Sequence, residues 1–225
     1  MLQAFPDILS YLPVTVQLTV GALAIAFPFA FIFALVLIKK VPVVTGIVKV
    51  YFSIIRGTPI ILQIFIIYNL MPSVLNVYFT ATGADVNIFG IDNKYYAYLA
   101  LSLSATAFLT EAFRAAIAGI DKGQLEAAYM VGMNGVSAYK RIVLPQALGV
   151  ALPIISNTVA DTIKATSLAF AMSVTEVTGR AKILGGQSLN YFEAYLDIFL
   201  VYIIFVGIVE YLLKKLESKV KKYQR

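Results

Sequence analysis

The sequence predicts an all-α transmembrane protein, a single membrane domain over residues 1–225 with five spans. Three observations carry that prediction. Of 225 residues, 60% are hydrophobic and only 13% charged, with a mean hydropathy of +0.84, so too little polar surface exists to cover the chain in water. Five segments each supply the roughly 20 apolar residues that a helix needs to cross the hydrocarbon. The Lys and Arg residues, finally, fall almost entirely on one side of those segments.

The first span runs from about Val14 to Ile38 and stops at Lys39-Lys40. No cation precedes it, and its apolar run is longer than the roughly 7 to 15 residues of a secretory signal, so it reads as a retained helix. The second covers about Val50 to Leu70, ahead of Met71-Pro72, and the third about Tyr95 to Ile117. A fourth, about Ile142 to Val174, contains Pro145, Gly149 and Pro153 and is expected to be broken or bent. The fifth covers about Ala194 to Leu213 before a basic tail.

With five spans the termini face opposite compartments. One side collects Lys39, Lys40, Lys49, Arg56, Arg114, Lys122, Lys140, Arg141 and the tail cations Lys214, Lys215, Lys219, Lys221, Lys222 and Arg225. The other has Lys94, Arg180 and Lys182, and Lys164 lies inside the fourth span. The positive-inside rule then puts the N-terminus outside and the C-terminus inside. An odd number of spans cannot divide into inverted halves, so a pathway forms more naturally between two copies or two related chains.

Cys and His are both absent, which removes thiolate and imidazole chemistry and the usual zinc, haem and iron–sulfur ligand sets; no metal site is expected. Neither G-x-x-x-x-G-K-[ST] nor G-x-G-x-x-G occurs, so any ATP used must be hydrolysed by another chain, and this one is expected not to be an enzyme. The net charge of +6 belongs to membrane orientation and does not imply nucleic acid.

Between spans three and four, Asp121 is a good N-cap with Gln124 three residues on, which predicts a capping box, and Ile120 and Leu125 stand where a hydrophobic staple would be. Gly132 supplies a stop and Asn134-Gly135 a turn. A short helix lying along the membrane surface follows. Glu126-Ala127-Ala128, Gly132 and Ile142-x-Leu144-Pro145 resemble the EAA loop of membrane subunits of ATP-binding-cassette importers. Arg56-Gly57-Thr58-Pro59 ahead of Gln63, Glu111-x-x-Arg114 and Lys164-x-Thr166-Ser167-Leu168 are similar to the branch that imports polar amino acids.

That resemblance implies the five-helix type I importer permease fold in a prokaryotic cytoplasmic membrane. It implies a coupling loop at about residues 120–141, with Gly123, Glu126, Ala127, Ala128 and Gly132 against a cytoplasmic ATPase dimer. The other implied partners are a second permease subunit, most simply an identical copy, an extracytoplasmic substrate-binding protein and the amino acid itself. ATP and Mg would be bound by the ATPase, leaving no cofactor in this chain.

In the fourth span Asn157, Asp161 and Lys164 fall at i, i+4 and i+7 with Ser167 a turn beyond, a polar stripe that must face protein, water or ligand. The two charges can neutralise each other as an i, i+3 pair, or they can serve a zwitterion. In the second case Lys164, Thr166 and Ser167 meet its carboxylate and Asp161 its ammonium. Gln63 either faces the pathway or bonds a neighbouring helix, and Glu176 can meet substrate or a delivering protein. Glu111 and Arg114 read as a structural ion pair.

Many relatives carry Asp where this chain has Ala165, which argues against a strongly cationic cargo. The stretches Ile163 to Phe170, Gly179-Arg180-Ala181 and Phe192-Glu193-Ala194-Tyr195 look most like cystine-type permeases of that branch. The alternative function is an ion-coupled secondary carrier or channel working as a homodimer, with Asp161 and Glu176 as ion sites.

Overall fold

A computed structural model describes residues 4–222, and every regular element in them is helical. Residues 1–3 and 223–225, Arg225 among them, and the side chains of Lys221 and Lys222 lie outside what is described. The helices are α1 (Phe5–Leu9), α2 (Leu12–Lys39), α3 (Val44–Gly57), α4 (Ile60–Thr82), α5 (Asn93–Ala118), α6 (Lys122–Met130), α7 (Gly135–Ala138), α8 (Leu144–Ala165), α9 (Val177–Ser188) and α10 (Tyr191–Lys222).

Packing is organised around α5. It buries residues on most of its circumference, among them Ala97, Ala100, Ala105, Leu109, Ala112, Phe113 and Ala116. The long α2 lies against it through Leu18, Ala22, Ala26, Ala30 and Ala34, one residue every fourth position and each fully buried. Lipid tails are as apolar as leucine, so helix association in a membrane rests on close contact, and a stripe of small side chains lets two backbones approach. Phe27 and Phe31 flank the stripe and meet Phe113 with ring centroids 6.1 and 5.9 Å apart. On other sides α5 packs against α8 and α4, while α10 closes over α8 and α9.

Among the described residues, four helical stretches are individually long and apolar enough to cross a membrane: Phe5–Lys39, Ile60–Thr82, Gly135–Met172 and Tyr191–Val220. A fifth is reached if Asn93–Ala118 and Lys122–Met130, bent by 59°, count as one span. The physical reason α5 falls short alone is its position. A helix surrounded by protein carries Ser102, Ser104, Thr106 and Thr110 where a lipid-facing one would need Leu or Ile.

The second and fourth spans differ from the sequence reading. Residues 50–70 do not form one helix: α3 ends at Gly57, Thr58 is extended, and a new helix begins at Ile60 after Pro59. Hydropathy runs evenly across that joint and hides it, whereas Pro59 sterically forces Thr58 out of the helical region. Pro72, expected just beyond the span, lies inside α4. In the fourth span the backbone stays helical through Pro145, Gly149 and Pro153: Pro145 stands in the first turn of α8, a position that suits proline, and Pro153, inside the helix, removes one N–H donor without ending it. Its pitch changes instead at its two ends, with a π-helical turn over Tyr139–Val143 and a tighter 3₁₀ run over Thr166–Met172.

Candidate functional site

The joint between α3 and α4 opens a cavity of about 430 Å³ against the middle of α5 and the C-terminal half of α8. Small residues on the facing helices, Ser104 and Ala105 on α5 and Thr158 and Ala165 on α8, leave the volume empty. Its polar lining includes Arg56, Gln63, Asn157 and Asp161. The size is within the range of about 300 to 1,000 Å³ typical of small-molecule sites, and a few polar groups in an apolar wall is their usual composition.

The predicted stripe on α8 divides. Asn157 and Asp161 line the cavity, and Lys164 reaches back to Asp161, Nζ to Oδ1 at 2.7 Å. Lys164 itself borders a neighbouring groove between α8 and α10, together with Tyr202, Ile203 and Glu210. Both charges of the pair remain largely exposed, as a membrane chain tolerates only where water or another protein covers them.

Gln63 is buried at the joint. Its Nε2 donates to the carbonyl oxygens of Ile55 at 2.8 Å and Thr58 at 3.1 Å, closing the open end of α3, since Pro59 has no N–H to offer. Gln63 thus bonds across the joint and also forms part of the cavity wall.

Two predicted residues are turned away from the cavity. Thr166 is fully buried, donates through its hydroxyl to the Ile163 carbonyl at 2.7 Å and stands 3.4 Å from the Tyr202 hydroxyl. Glu176 is also fully buried and caps α9, accepting from the N–H groups of Thr178 and Gly179, each at 2.9 Å, and from the Tyr202 hydroxyl at 3.1 Å. Burial pushes its carboxyl above the ordinary carboxylate range, and these hydrogen bonds pull the other way. Ser167 is half-buried, its hydroxyl donating to the Lys164 carbonyl at 2.7 Å.

Glu111 and Arg114 form the expected pair, Arg114 Nε donating to Glu111 Oε2 at 3.0 Å. Sequence reading missed Arg56 as part of the cavity, where its guanidinium lies 5.9 Å from the centre of the Phe108 ring. A cation immediately before a Gly-Thr-Pro break in an apolar run was the available signal.

The loop over residues 120–141 folds as its capping residues dictate. Asp121 caps α6, but its side chain accepts from the Gly123 N–H at 2.8 Å, so the bond to Gln124 expected of a capping box is replaced by one a residue earlier. Ile120 and Leu125 each pack against the core beneath, and Gly132 follows the helix at φ +80°, a conformation that favours glycine. Ala128 is buried against the bundle, whereas Gly123, Glu126 and Ala127 face outward. Met130, Val131 and Val136 extend this exposed surface with apolar side chains at 88, 75 and 79% exposure.

Comparison with known proteins matches residues 26–222 to the family described as the binding-protein-dependent transport system inner membrane component. An L-cystine transport system permease protein of Bacillus subtilis (strain 168) is 36% identical over 97% of this chain and 89% of its own length. A probable amino-acid permease protein of the same organism is 38% identical over 90% of this chain and 86% of its own. A crystal structure of an amino acid ABC transporter with histidines superposes with a TM-score of 0.80 at 26% identity, covering 97% of this chain and 96% of that one. The match over most of the length and the all-helical fold agree: this chain is a member of the binding-protein-dependent transport system inner membrane component family.

Proposed function

We propose that this chain is the membrane subunit of an ATP-driven importer of a polar or zwitterionic amino acid, with cystine the leading candidate. The observation that carries the reading is the cavity at mid-length of α5, which gathers Arg56, Gln63, Asn157 and Asp161 in a family of binding-protein-dependent transporters. A zwitterion needs a cation for its carboxylate and an acceptor for its ammonium, and that lining offers both. Asp161 takes the ammonium, Arg56 and Lys164 flank the carboxylate, and Asn157 and Ser167 meet polar parts of the cargo. Thr166 and Glu176 serve from behind, holding α8, α9 and α10 together through Tyr202. The relatives that transport L-cystine and other amino acids support the substrate class.

In this proposal the whole chain is one membrane domain of five spans in a prokaryotic plasma membrane, N-terminus outside and C-terminus inside. Two such subunits, most simply identical, enclose the path. The outward surface of α6, with Gly123, Glu126, Ala127 and the Gly132 stop, seats on a cytoplasmic ATPase, while Ala128 anchors the helix to the bundle. ATP and Mg are bound by that ATPase, and its closure moves the spans from inward to outward facing, the cargo being delivered by an extracytoplasmic binding protein. Reconstitution of the chain with its ATPase and binding protein tests the proposal: ATP-dependent accumulation of cystine or another amino acid supports it, and accumulation driven by an ion gradient without ATP overturns it.

A further inference from the structure

Half of the Gln63 amide is unused. Nε2 is committed to the carbonyls of Ile55 and Thr58 and to the Thr58 hydroxyl at 3.1 Å. Because carbonyl oxygens only accept, the amide cannot be turned over, and Oε1 must point away from the joint. Oε1 is buried without a hydrogen-bond partner, on a residue 7% exposed that lines the 430 Å³ cavity beside Arg56, Asn157 and Asp161. A buried acceptor without a donor carries a free-energy cost, which a donor group placed against it relieves.

We propose that Gln63 Oε1 accepts a hydrogen bond from the ammonium group of the bound amino acid, and that through the same amide the ammonium is linked to the joint between α3 and α4. The inference rests on the transport reading above. An ammonium carries three N–H bonds, enough for Gln63 Oε1 and the Asp161 carboxylate together, with the cargo carboxylate directed to Arg56. A neutral amide oxygen makes a charge-assisted bond without burying a second anion, and it discriminates against cargo that has no donor at that place. Gln63 both lines the cavity and holds the end of α3, a clasp that Thr58 shares through its hydroxyl, which donates to the Ile54 carbonyl at 2.8 Å.

Equilibrium binding to the complete transporter in nanodiscs, without the binding protein, tests this with three probes: L-cystine, 3,3′-dithiodipropionate, which is cystine without its ammonium groups, and cystamine, which lacks its carboxylates. Gln63→Leu should weaken cystine and cystamine about tenfold and leave dithiodipropionate within about twofold of the wild-type protein. Two further variants separate the halves of the amide. Gln63→Glu keeps an acceptor and should retain cystine; Gln63→Lys keeps donors for the joint, lacks an acceptor and should lose it. Equal losses for all three probes in Gln63→Leu, or cystine binding retained by Gln63→Lys and lost by Gln63→Glu, would overturn the inference and leave Gln63 a purely structural clasp. If another common amino acid binds instead of cystine, its 2-hydroxy acid is the ammonium-free probe. Wild-type protein that binds no amino acid at all would remove the substrate reading and this inference together, a result distinct from binding that ignores Gln63.

Discussion

Asp161 and Lys164 hold each other at 2.7 Å on the last turns of α8 while keeping 72% and 55% of their side chains exposed. An ion pair so open contributes about 0 to 1 kcal/mol to stability, and side chains of this kind at membrane depth mark pathways more often than scaffolds. A zwitterion can replace the pair by giving each charge a new partner.

The Asp161→Asn variant should therefore raise the KM for amino acid uptake roughly tenfold while its thermal stability stays within about 1 kcal/mol of the wild-type protein. Uptake into proteoliposomes and a melting curve on the same preparation check the two halves. A lowered melting temperature with unchanged KM would make the pair structural.

Two residues beyond α6, Gly132 stands at φ +80°, and on the helix itself Glu126 is exposed. Gly132→Ala places a Cβ in the left-handed region at a cost of about 1 to 2 kcal/mol and should distort the end of the loop, whereas Glu126→Ala removes only an exposed side chain. Both variants should assemble in the membrane and raise the number of ATP molecules hydrolysed per amino acid transported, measured as the ratio of phosphate release to uptake.

The alanine stripe sets the distance between α2 and α5. Ala26→Leu should cost about 1 to 3 kcal/mol by overpacking, since Ala26 is fully buried against the α5 core, whereas Ile25→Leu on the exposed face should be neutral. Thermal unfolding in detergent distinguishes the two.

Glu176 gives a pH dependence. Burial raises its folded-state pKa above the unfolded value, so its contribution to stability is complete below the ordinary carboxylate range and is lost as pH rises through the raised value. Glu176→Gln should abolish that part of the slope while keeping an oxygen for the α9 cap, and Glu176→Ala should cost about 1 kcal/mol more by removing the cap. Melting temperatures between about pH 4 and pH 8 record both effects.

What the sequence revealed follows the range of the interactions involved. Asp121 and Gly132 were readable because a cap and a left-handed stop involve neighbours within a few residues. The joint at Gly57–Pro59 was visible as punctuation, yet hydropathy continued through it, so the second span was placed about ten residues too early. Glu176 reads from the sequence as a group for substrate or a delivering protein, because its partners are out of local view: Tyr202 is 26 residues away, and only the approach of α10 to α9 brings its hydroxyl to the carboxylate. The four-residue alanine spacing of α2 was present in the sequence throughout, but its meaning depends on α5 lying against it.

The most direct test of the account is uptake by proteoliposomes containing this chain, its ATPase and its binding protein, with ATP supplied on the ATPase side and labelled cystine on the other. The expected result is accumulation that requires hydrolysable ATP, is reduced in Asp161→Asn and is uncoupled from hydrolysis in Glu126→Ala. Accumulation without ATP under an imposed ion gradient, unchanged in Glu126→Ala, would contradict it and make the chain a secondary carrier.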